Sequence, residues 1–221
     1  LQLFADALGQ VDIGRRDFDP VVVLVDPHDP VERMLLAFVL GLVANDGNQF
    51  VAVSRDERSV QDQPSGGQLF VHAAAGGVGQ ILCQWSKYLG ATVIGTVGSD
   101  EKAALAKKAG CKHVIVTARE DFVARVKEIT KGKGVPVVYD GVGKDTFMDS
   151  LDCLAPLGLL ASFGNASGPV TQFNPGVLAG KGSLFLTRPT LNTYTASRED
   201  LVKAANELFA IVKSGKVKIA I

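Results

Sequence analysis

An apolar run that leads directly into a glycine-rich turn and an amphipathic helix constrains the fold of this chain most. The run spans Leu69 to Ala73, the turn spans Ala74 to Gly79, and the helix is predicted from Gly76 to Leu89. A strand, a tight turn and a helix in this order are typical of a helix packed on a parallel sheet. Apolar side chains that recur with a period of about 3.6 residues form one face of the helix: Val78, Ile81, Leu82, Trp85 and Leu89.

Short β-branched segments alternate with helical ones from Leu69 onward. The further strands are predicted at Thr92–Val97, His113–Val116, Val135–Asp140, Gly158–Phe163 and Ser183–Thr187. The further helices are predicted at Asp100–Ala109, Asp121–Thr130, Asp145–Leu154 and Arg198–Ser214. The 24 glycines and the aromatic content of 7% suit the tight turns of such a fold. The pattern predicts the α/β class, with a doubly wound parallel sheet of six strands, the Rossmann architecture.

The N-terminal part of the chain does not follow this alternation. Residues 1–67 contain predicted strands at Val21–Val25 and Gln49–Val53, a predicted helix at Pro30–Val43, and then a polar stretch rich in Gly, Pro, Asp and Arg. Such a stretch is typical of a linker or a domain boundary. Residues 1–67 are therefore an unassigned segment, either the remnant of a substrate domain or a linker, and residues 68–221 are predicted to form one α/β domain.

The charge balance and the cysteines argue against several classes of partner. The chain has 23 basic and 23 acidic residues, so its formal net charge of zero predicts no nucleic-acid or anionic membrane partner. No apolar run approaches the ~18 residues of a membrane span. Cys83, Cys111 and Cys153 fit neither a disulfide framework nor a zinc-ligand spacing, so we expect reduced, half-buried thiols in a cytoplasmic protein without bound metal. The chain begins with Leu1 rather than Met, which is typical of a fragment or a processed product.

The turn after the first strand has the spacing of a dinucleotide-binding motif. Residues 74–79 follow the G-x-G-x-x-G pattern, with Ala74 in place of the first glycine. Gly76 lets a pyrophosphate approach the backbone, Gly79 lets helix and strand pack closely, and the helix N-terminus presents free N–H groups. The alternative is a glycine-rich helix start that serves packing alone. The predicted pyrophosphate contacts are Ala75, Gly76, Gly77 and Val78.

The end of the second strand favours NADPH over NADH. NAD-binding domains usually have an acidic residue there to hold the ribose 2′-hydroxyl, whereas this strand ends with Val97 and leads into Ser99. Ser99 and Lys102 can donate to a 2′-phosphate, which a carboxylate would repel. Two acidic residues count against this interpretation, and we expect Asp100 to cap the next helix and Glu101 to face solvent. The alternative for Lys102 is an ordinary exposed lysine.

Two further loops follow the fourth and fifth strands at the same edge of the predicted sheet. Their small residues leave room for a ribose and a nicotinamide, with Val142 and Phe163 packed against them. Asp140 has the chemistry of a general base, but a structural role in the loop is the stronger expectation. Ser167 has no His or acid at a spacing that suggests a triad, so no catalytic residue is predicted. The predicted contacts on the nicotinamide side are Gly141, Val142, Phe163, Gly164 and Asn165.

Five segments of the chain resemble one family in their sequence and in their order. They are Val71–Gln80, Ile94–Gly98, Val138–Gly143, Ser162–Asn165 and Ser183–Pro189. Together they are similar to the quinone oxidoreductases, which are the zinc-free, zeta-crystallin-like branch of the medium-chain dehydrogenase/reductases. The resemblance covers about residues 68–218.

This resemblance implies an enzyme that reduces a quinone with NADPH by direct hydride transfer, without zinc. It assigns the pyrophosphate to Gly76, Gly77 and Val78. The adenosine ribose-phosphate is assigned to Ser99 and Lys102, and the nicotinamide to the five loop residues predicted above. It also implies a homodimer in which the sixth strand pairs with its own copy.

The chain departs from the family in three places. Its first 65 residues do not resemble the family's N-terminal GroES-like catalytic domain. The family continues beyond Ile221 with a segment that gives a basic residue to the 2′-phosphate, and Thr117 stands where relatives often have a tyrosine. The cofactor half is therefore recognisable and the substrate half is not. Two alternatives stay open: an enal or enoyl reductase of the same superfamily, and an NADPH-binding module without turnover.

Overall fold

Strands and helices alternate along the part of the chain that the structure describes. The computed structural model describes residues 67–219, and the elements predicted within residues 1–66 lie outside them. The strands are β1 (Gln68–Val71), β2 (Thr92–Val97), β3 (His113–Val116), β4 (Val135–Asp140), β5 (Leu154–Ser162) and β6 (Phe185–Thr187). The helices are α1 (Gly77–Tyr88), α2 (Asp100–Lys108), α3 (Phe122–Ile129), α4 (Phe147–Asp152), α5 (Gly176–Gly180), α6 (Leu191–Tyr194) and α7 (Arg198–Lys213). Within residues 67–219, no helix is both long and apolar enough to cross a membrane.

The six strands form one parallel sheet in the order β3-β2-β1-β4-β5-β6. The chain builds outward from β1 to β3 on one side and from β4 to β6 on the other, so the order reverses between β1 and β4. In open parallel sheets, ligands bind outside the carboxyl ends of the strands at such a reversal. The predicted doubly wound sheet is confirmed, and it determines where the site residues can meet.

Two apolar cores lie on opposite faces of this sheet. Leu69 and Val71 belong to one core and Phe70 to the other, because successive side chains of a strand point to opposite faces. Helices α1, α2 and α7 contribute side chains to the first core, and α3 and α4 contribute to the second. Both faces of the sheet are therefore covered, as the near-continuous apolar strands require.

The boundary between α4 and β5 differs from the prediction. The helix is predicted to run to Leu154 and the strand to begin after Pro156, but α4 ends at Asp152 and β5 begins at Leu154. Leu154 pairs with Val135, whose N–H donates to Cys153 O (2.9 Å), so the chain enters the sheet as soon as the helix ends. Pro156 lies exposed where the register with β4 is irregular, and its missing N–H costs no ladder bond there. The two short helices α5 and α6 are not predicted from the sequence.

Burial corrects two expectations about single side chains. The three cysteines are free and fully buried rather than half-buried, and burial raises the pKa of Cys153 to about 12. Val78, which is predicted on the apolar face of the first helix, is instead 44% exposed. It lies in the first turn of α1.

Gly79→Ala is expected to lower the free energy of unfolding by about 1–3 kcal/mol. A Cβ at this position would press against Ala73 O and would lie 2.8 Å from Ala74 Cα, and these main-chain atoms cannot move without moving the turn. Gly77→Ala is the matched control, because nothing lies within 4 Å of its Cβ and alanine favours a helix. Denaturant titration of both variants measures the difference, and two variants as stable as the original chain would contradict the close approach of α1 to β1.

Candidate functional site

The turn after β1 presents main-chain N–H groups at the reversal of strand order. Gly76 is the N-cap of α1, no described side chain bonds to that cap, and the first helical turn contains no acidic residue. Gly76, Gly77 and Val78 are exposed, and Ala75 is half-buried. Free N–H groups at a helix N-terminus attract an anion, and within residues 67–219 no carboxylate bonds to them. The four predicted pyrophosphate contacts therefore lie together on an open surface.

Neighbouring strands hold this turn in one conformation. Ala74 N donates to Thr96 O on β2 (2.9 Å), and His72 N donates to Tyr139 O on β4 (3.0 Å). Ala73 between them has a φ of 52°, in the left-handed region that residues with a side chain rarely adopt. Such a conformation persists only where the surroundings enforce it, so the turn has its shape before any ligand arrives.

The end of β2 places Ser99 and Lys102 at the start of α2. Ser99 is the N-cap, and its Oγ accepts from Lys102 N (3.3 Å), so the expectation that Asp100 caps this helix is wrong. Ser99 has the extended backbone that an N-cap needs, which leaves Asp100 as the first helical residue. The Ser99 hydroxyl hydrogen and the exposed ammonium of Lys102 remain on the outer surface. Glu101 is exposed, as expected.

Arg119 forms an ion pair with Asp100, whose carboxylate would otherwise repel a 2′-phosphate. Its Nη1 lies 2.6 Å from Asp100 Oδ2, and both side chains are more than half exposed. The loop that carries Arg119 is tied to β2, because Thr117 N and Thr117 Oγ1 both donate to Val97 O (2.9 and 3.2 Å). The pair partly neutralises Asp100, which lies two residues before Lys102. Sequence reasoning missed Arg119, although a basic residue just after the third strand is a signal that could have identified it.

The loop after β4 is built around the buried carboxylate of Asp140. Asp140 Oδ1 accepts from Val142 N (2.8 Å) and Gly143 N (3.0 Å), and Thr146 Oγ1 donates to the same carboxylate (2.8 Å to Oδ2). Its side chain is fully buried. A carboxylate whose neighbours are all donors stabilises the loop and has no access to a reacting group, so the expected structural role of Asp140 fits the geometry.

The loops after β4 and β5 are bonded to each other. Phe163 N donates to Asp140 O (2.8 Å), and Ser167 N and Ser167 Oγ both donate to Val142 O (2.8 and 2.9 Å). A Cβ on Gly164 would lie 2.7 Å from Gly141 Cα, and a Cβ on Gly141 would lie 2.9 Å from the Phe163 ring. Only glycine fits at both positions. The structure therefore brings the predicted nicotinamide-side residues together, with Ser167 used as a structural hydroxyl.

Arg188 joins the sixth strand to this pair of loops. Its Nη1 donates to Ser162 O (2.8 Å). With the Asn165 amide oriented so that its nitrogen donates to Gly164 O (2.8 Å), its oxygen accepts from Arg188 Nη2 (3.3 Å). Asn165 is thus held from both sides. Its partner Arg188 lies in a segment quoted for the family resemblance, but sequence reasoning gave it no role.

His72 is a buried titratable group directly after β1, and sequence reasoning assigned it no function. It is 2% exposed, with Nδ1 3.0 Å from Thr96 Oγ1 and Nε2 2.9 Å from Ser150 Oγ. Ser150 Oγ in turn donates to Asp140 Oδ2 (3.0 Å). Ser150 lies 78 residues from His72 along the chain, so no local pattern connects them.

Comparisons with known proteins agree with this geometry. Residues 77–210 match the profile of the zinc-binding dehydrogenase family. The quinone oxidoreductase of Salmonella typhimurium is 59% identical over 188 residues, which cover 85% of this chain and 55% of that protein. The 2-haloacrylate reductase of a Burkholderia species is 49% identical over 153 residues, covering 68% of this chain and 45% of that protein.

A solved structure is also similar to this chain in fold and in sequence. The crystal structure of Escherichia coli quinone oxidoreductase complexed with NADPH matches with a TM-score of 0.69 and 55% identity, covering 72% of this chain and 48% of that one. The chain spans about half the length of the curated relatives that it matches. The predicted similarity to the quinone oxidoreductases is thereby confirmed.

Acidification from pH 6.5 toward pH 4 is expected to lower the free energy of unfolding through His72. Burial lowers the pKa of His72 from its usual 6.5 to about 4, and the Asp140 carboxylate only partly opposes this. Between these values the unfolded chain binds a proton at His72 and the folded chain does not. Protonation therefore favours unfolding, by at most about 1.4 kcal/mol for each pH unit. The contribution is complete above pH 6.5 and is lost as the pH falls to about 4.

Denaturant titrations of the original chain and of His72→Gln across this range measure the effect. The glutamine variant has no proton to bind, so its stability should fall less steeply, while His113 and every carboxylate are common to both proteins. Identical pH slopes in the two proteins would contradict a neutral, buried His72.

Proposed function

The chain belongs to the zinc-binding dehydrogenase family, and on that premise we propose that it is the NADPH-binding part of a quinone oxidoreductase. The observation that carries the proposal is an open helix N-terminus at the reversal of strand order, beside two glycine-lined loops on the same sheet edge. The first suits a pyrophosphate, and the second leaves room for a ribose and a nicotinamide. Binding of adenosine alone would not require the second feature.

The space around the glycines supports binding of the pyrophosphate at the turn. A Cβ on Gly76 would lie 3.2 Å from Ala73 O, so the position is tight on one side and open toward the ligand on the other. When bound, the nicotinamide supplies the hydride. The chain's own task is to bind the pyrophosphate at Gly76, Gly77 and Val78 and to orient the nicotinamide against Gly141, Val142 and Phe163. No side chain is assigned a proton-transfer role.

The preference for NADPH rests on charge at the end of β2. The Ser99 hydroxyl can donate to a 2′-phosphate, and the exposed ammonium of Lys102 supplies positive charge beside it. Val97 is buried at the position where an acid would hold the ribose of NADH. Asp100 opposes the phosphate less than its charge suggests, because its carboxylate is paired with Arg119.

Lys102→Ala is expected to weaken NADPH binding by about tenfold to a hundredfold and to leave NADH nearly unchanged. The loss of one charge-assisted contact to the 2′-phosphate corresponds to about 1.5–3 kcal/mol. Lys107→Ala is the matched control, since Lys107 is equally exposed but lies in the last turn of the same helix. Calorimetric titration of both nucleotides decides the matter. Equal losses for NADPH and NADH would contradict the assigned role of Lys102.

The acceptor of the whole protein is proposed to be a quinone, with an enal or enoyl compound as the second candidate. The quinone is supported by relatives at 52–59% identity that are quinone oxidoreductases. The second is supported by the similarity to a 2-haloacrylate reductase. NADPH oxidation measured with a panel of quinones and enals separates the two. NADPH binding without NADPH oxidation in the presence of either class would identify a module without turnover.

Turnover measured in the presence of a strong chelator tests the prediction that zinc is not required.

We propose that the protein is a homodimer joined through β6 and that it acts in the cytoplasm. The sheet order puts β6 at an edge, and its three residues are half-buried and uncharged. An edge strand of this kind pairs readily with another chain, and a two-fold axis gives the simplest closed arrangement.

Proline substitutions in β6 are expected to separate dimerisation from folding. Successive N–H groups of a strand point to opposite edges, so one of Phe185→Pro and Leu186→Pro removes a donor that faces outward and the other removes a donor toward β5. Light scattering at micromolar concentration should find a dimer for the original chain and a folded monomer for the outward variant. A monomeric original chain, or two folded variants that both remain dimeric, would contradict the proposal.

A further inference from the structure

His72 lies where the phosphate-binding turn begins, directly after β1. Its ring packs against Phe70 (4.6 Å between centroids) and edge-on against Phe122 (5.0 Å), so its plane is fixed by contacts on the second core side. Both ring nitrogens reach hydroxyl groups, Thr96 Oγ1 on one side and Ser150 Oγ on the other. A buried imidazole must satisfy both its N–H and its lone pair, and here hydroxyl groups on two different elements, β2 and α4, do so.

The directions of these hydrogen bonds follow from the carboxylate at one end. Asp140 can only accept, so Ser150 must give its single hydrogen to Asp140 Oδ2 (3.0 Å). Ser150 Oγ then accepts from His72 Nε2–H (2.9 Å). A neutral imidazole has one hydrogen, so Nδ1 accepts from the hydroxyl of Thr96 (3.0 Å).

At its other end, this series of hydrogen bonds reaches the turn at Ala73. Thr96 Oγ1, which has given its hydrogen to His72, accepts from Ala73 N (3.3 Å). Every hydrogen bond from Ala73 N to Asp140 therefore runs in the same direction. Beyond Asp140, the same carboxylate accepts from Val142 N and Gly143 N in the nicotinamide-side loop. The five groups from Ala73 N through Thr96, His72 and Ser150 to Asp140 are referred to below as the His72 relay.

We propose that His72, as the Nε2–H tautomer, is a positioning residue that couples the phosphate-binding turn to the nicotinamide-side loop. The inference rests on the proposed function, because it concerns how the two halves of one dinucleotide site are held in a single arrangement. Ala73 N fixes the strained residue that starts the turn, and Asp140 fixes the N–H groups of the loop. His72 joins the two, so that a change at one end is opposed by hydrogen bonds at the other.

The low pKa of His72 supports this role. Burial keeps the ring neutral at physiological pH, so Nδ1 stays an acceptor and the directions of the relay do not reverse. A proton on Nδ1 would reverse the hydrogen bond between His72 and Thr96, and the hydroxyl hydrogen of Thr96 would lose its acceptor.

The test compares a whole dinucleotide with its adenosine half. NADPH engages the turn and the nicotinamide-side loop, whereas 2′,5′-ADP has no nicotinamide and engages only the turn, with its single 5′-phosphate. His72→Met keeps the length of the side chain but has no N–H donor. It should weaken the binding of NADPH by about tenfold, which corresponds to the loss of one buried hydrogen bond. Its affinity for 2′,5′-ADP should stay within about twofold. His72→Gln retains a donor near the position of Nε2 and should restore most of the NADPH affinity.

Ser150→Ala and Ser86→Ala form a matched pair of buried substitutions. Ser150 lies in the relay and should give the same split between the two nucleotides as His72→Met. Ser86 is equally buried on α1, and its hydroxyl has no hydrogen-bond partner among the described residues, so its removal should change neither affinity. The pair also keeps the proposal testable if His72→Met fails to fold.

Nuclear magnetic resonance of the original chain supplies a second measurement. The imidazole nitrogen signals of His72 should identify the Nε2–H tautomer with an unprotonated Nδ1. Observation of the Nδ1–H tautomer would overturn the proposal. So would substitutions in the His72 relay that weaken the binding of NADPH and of 2′,5′-ADP equally, or that weaken the binding of neither. If the original chain binds neither nucleotide, the proposed function fails and the inference falls with it. If it binds both and the variants give no split, the inference alone fails.

Discussion

The close approach of one helix to one strand determines where every other part of the site can lie. Gly79 packs α1 so tightly against the turn after β1 that a single added carbon would meet main-chain atoms. That contact directs the N-terminus of α1 to the carboxyl ends of the strands, at the place where strand order reverses between β1 and β4. The loops after β2, β4 and β5 leave the sheet at the same edge because all the strands are parallel.

Charge along this edge is arranged for an extended anionic ligand. The middle of the edge is an acid-free helix start, and one end has Lys102 with an aspartate that Arg119 neutralises. At the other end the carboxylate of Asp140 is buried and satisfied by donors from its own loop, and the guanidinium of Arg188 bonds to Ser162 O. The acid-free helix start suits a pyrophosphate, and the Lys102 end suits a 2′-phosphate. The same carboxylate, through Ser150 and His72, links the loop to the turn.

The sequence predicted the sheet better than the boundaries and the side-chain partners. The bounds of β2, β3 and β4 agree with the prediction because β-branched runs there end at clear turn residues. The start of β5 was wrong because Leu154 is drawn into pairing with Val135, a tertiary contact that helix periodicity does not register. Asp100 was wrongly expected to cap α2 because two good capping residues are adjacent, and only the backbone decides that Ser99 takes the position. The partnership of His72 with Ser150 joins residues far apart in sequence, which no local pattern reveals.

A map of backbone amide shifts during titration with NADPH locates the cofactor on the molecule. If NADPH lies along the carboxyl edge of the sheet, the perturbed amides should cluster in the turn at residues 75–79, at the start of α2 and in the loops at residues 141–143 and 163–165. The exposed outer surface of α7 should stay unchanged. Perturbations confined to α7 or to the amino ends of the strands, or no perturbation at saturating NADPH, would contradict that location of the cofactor.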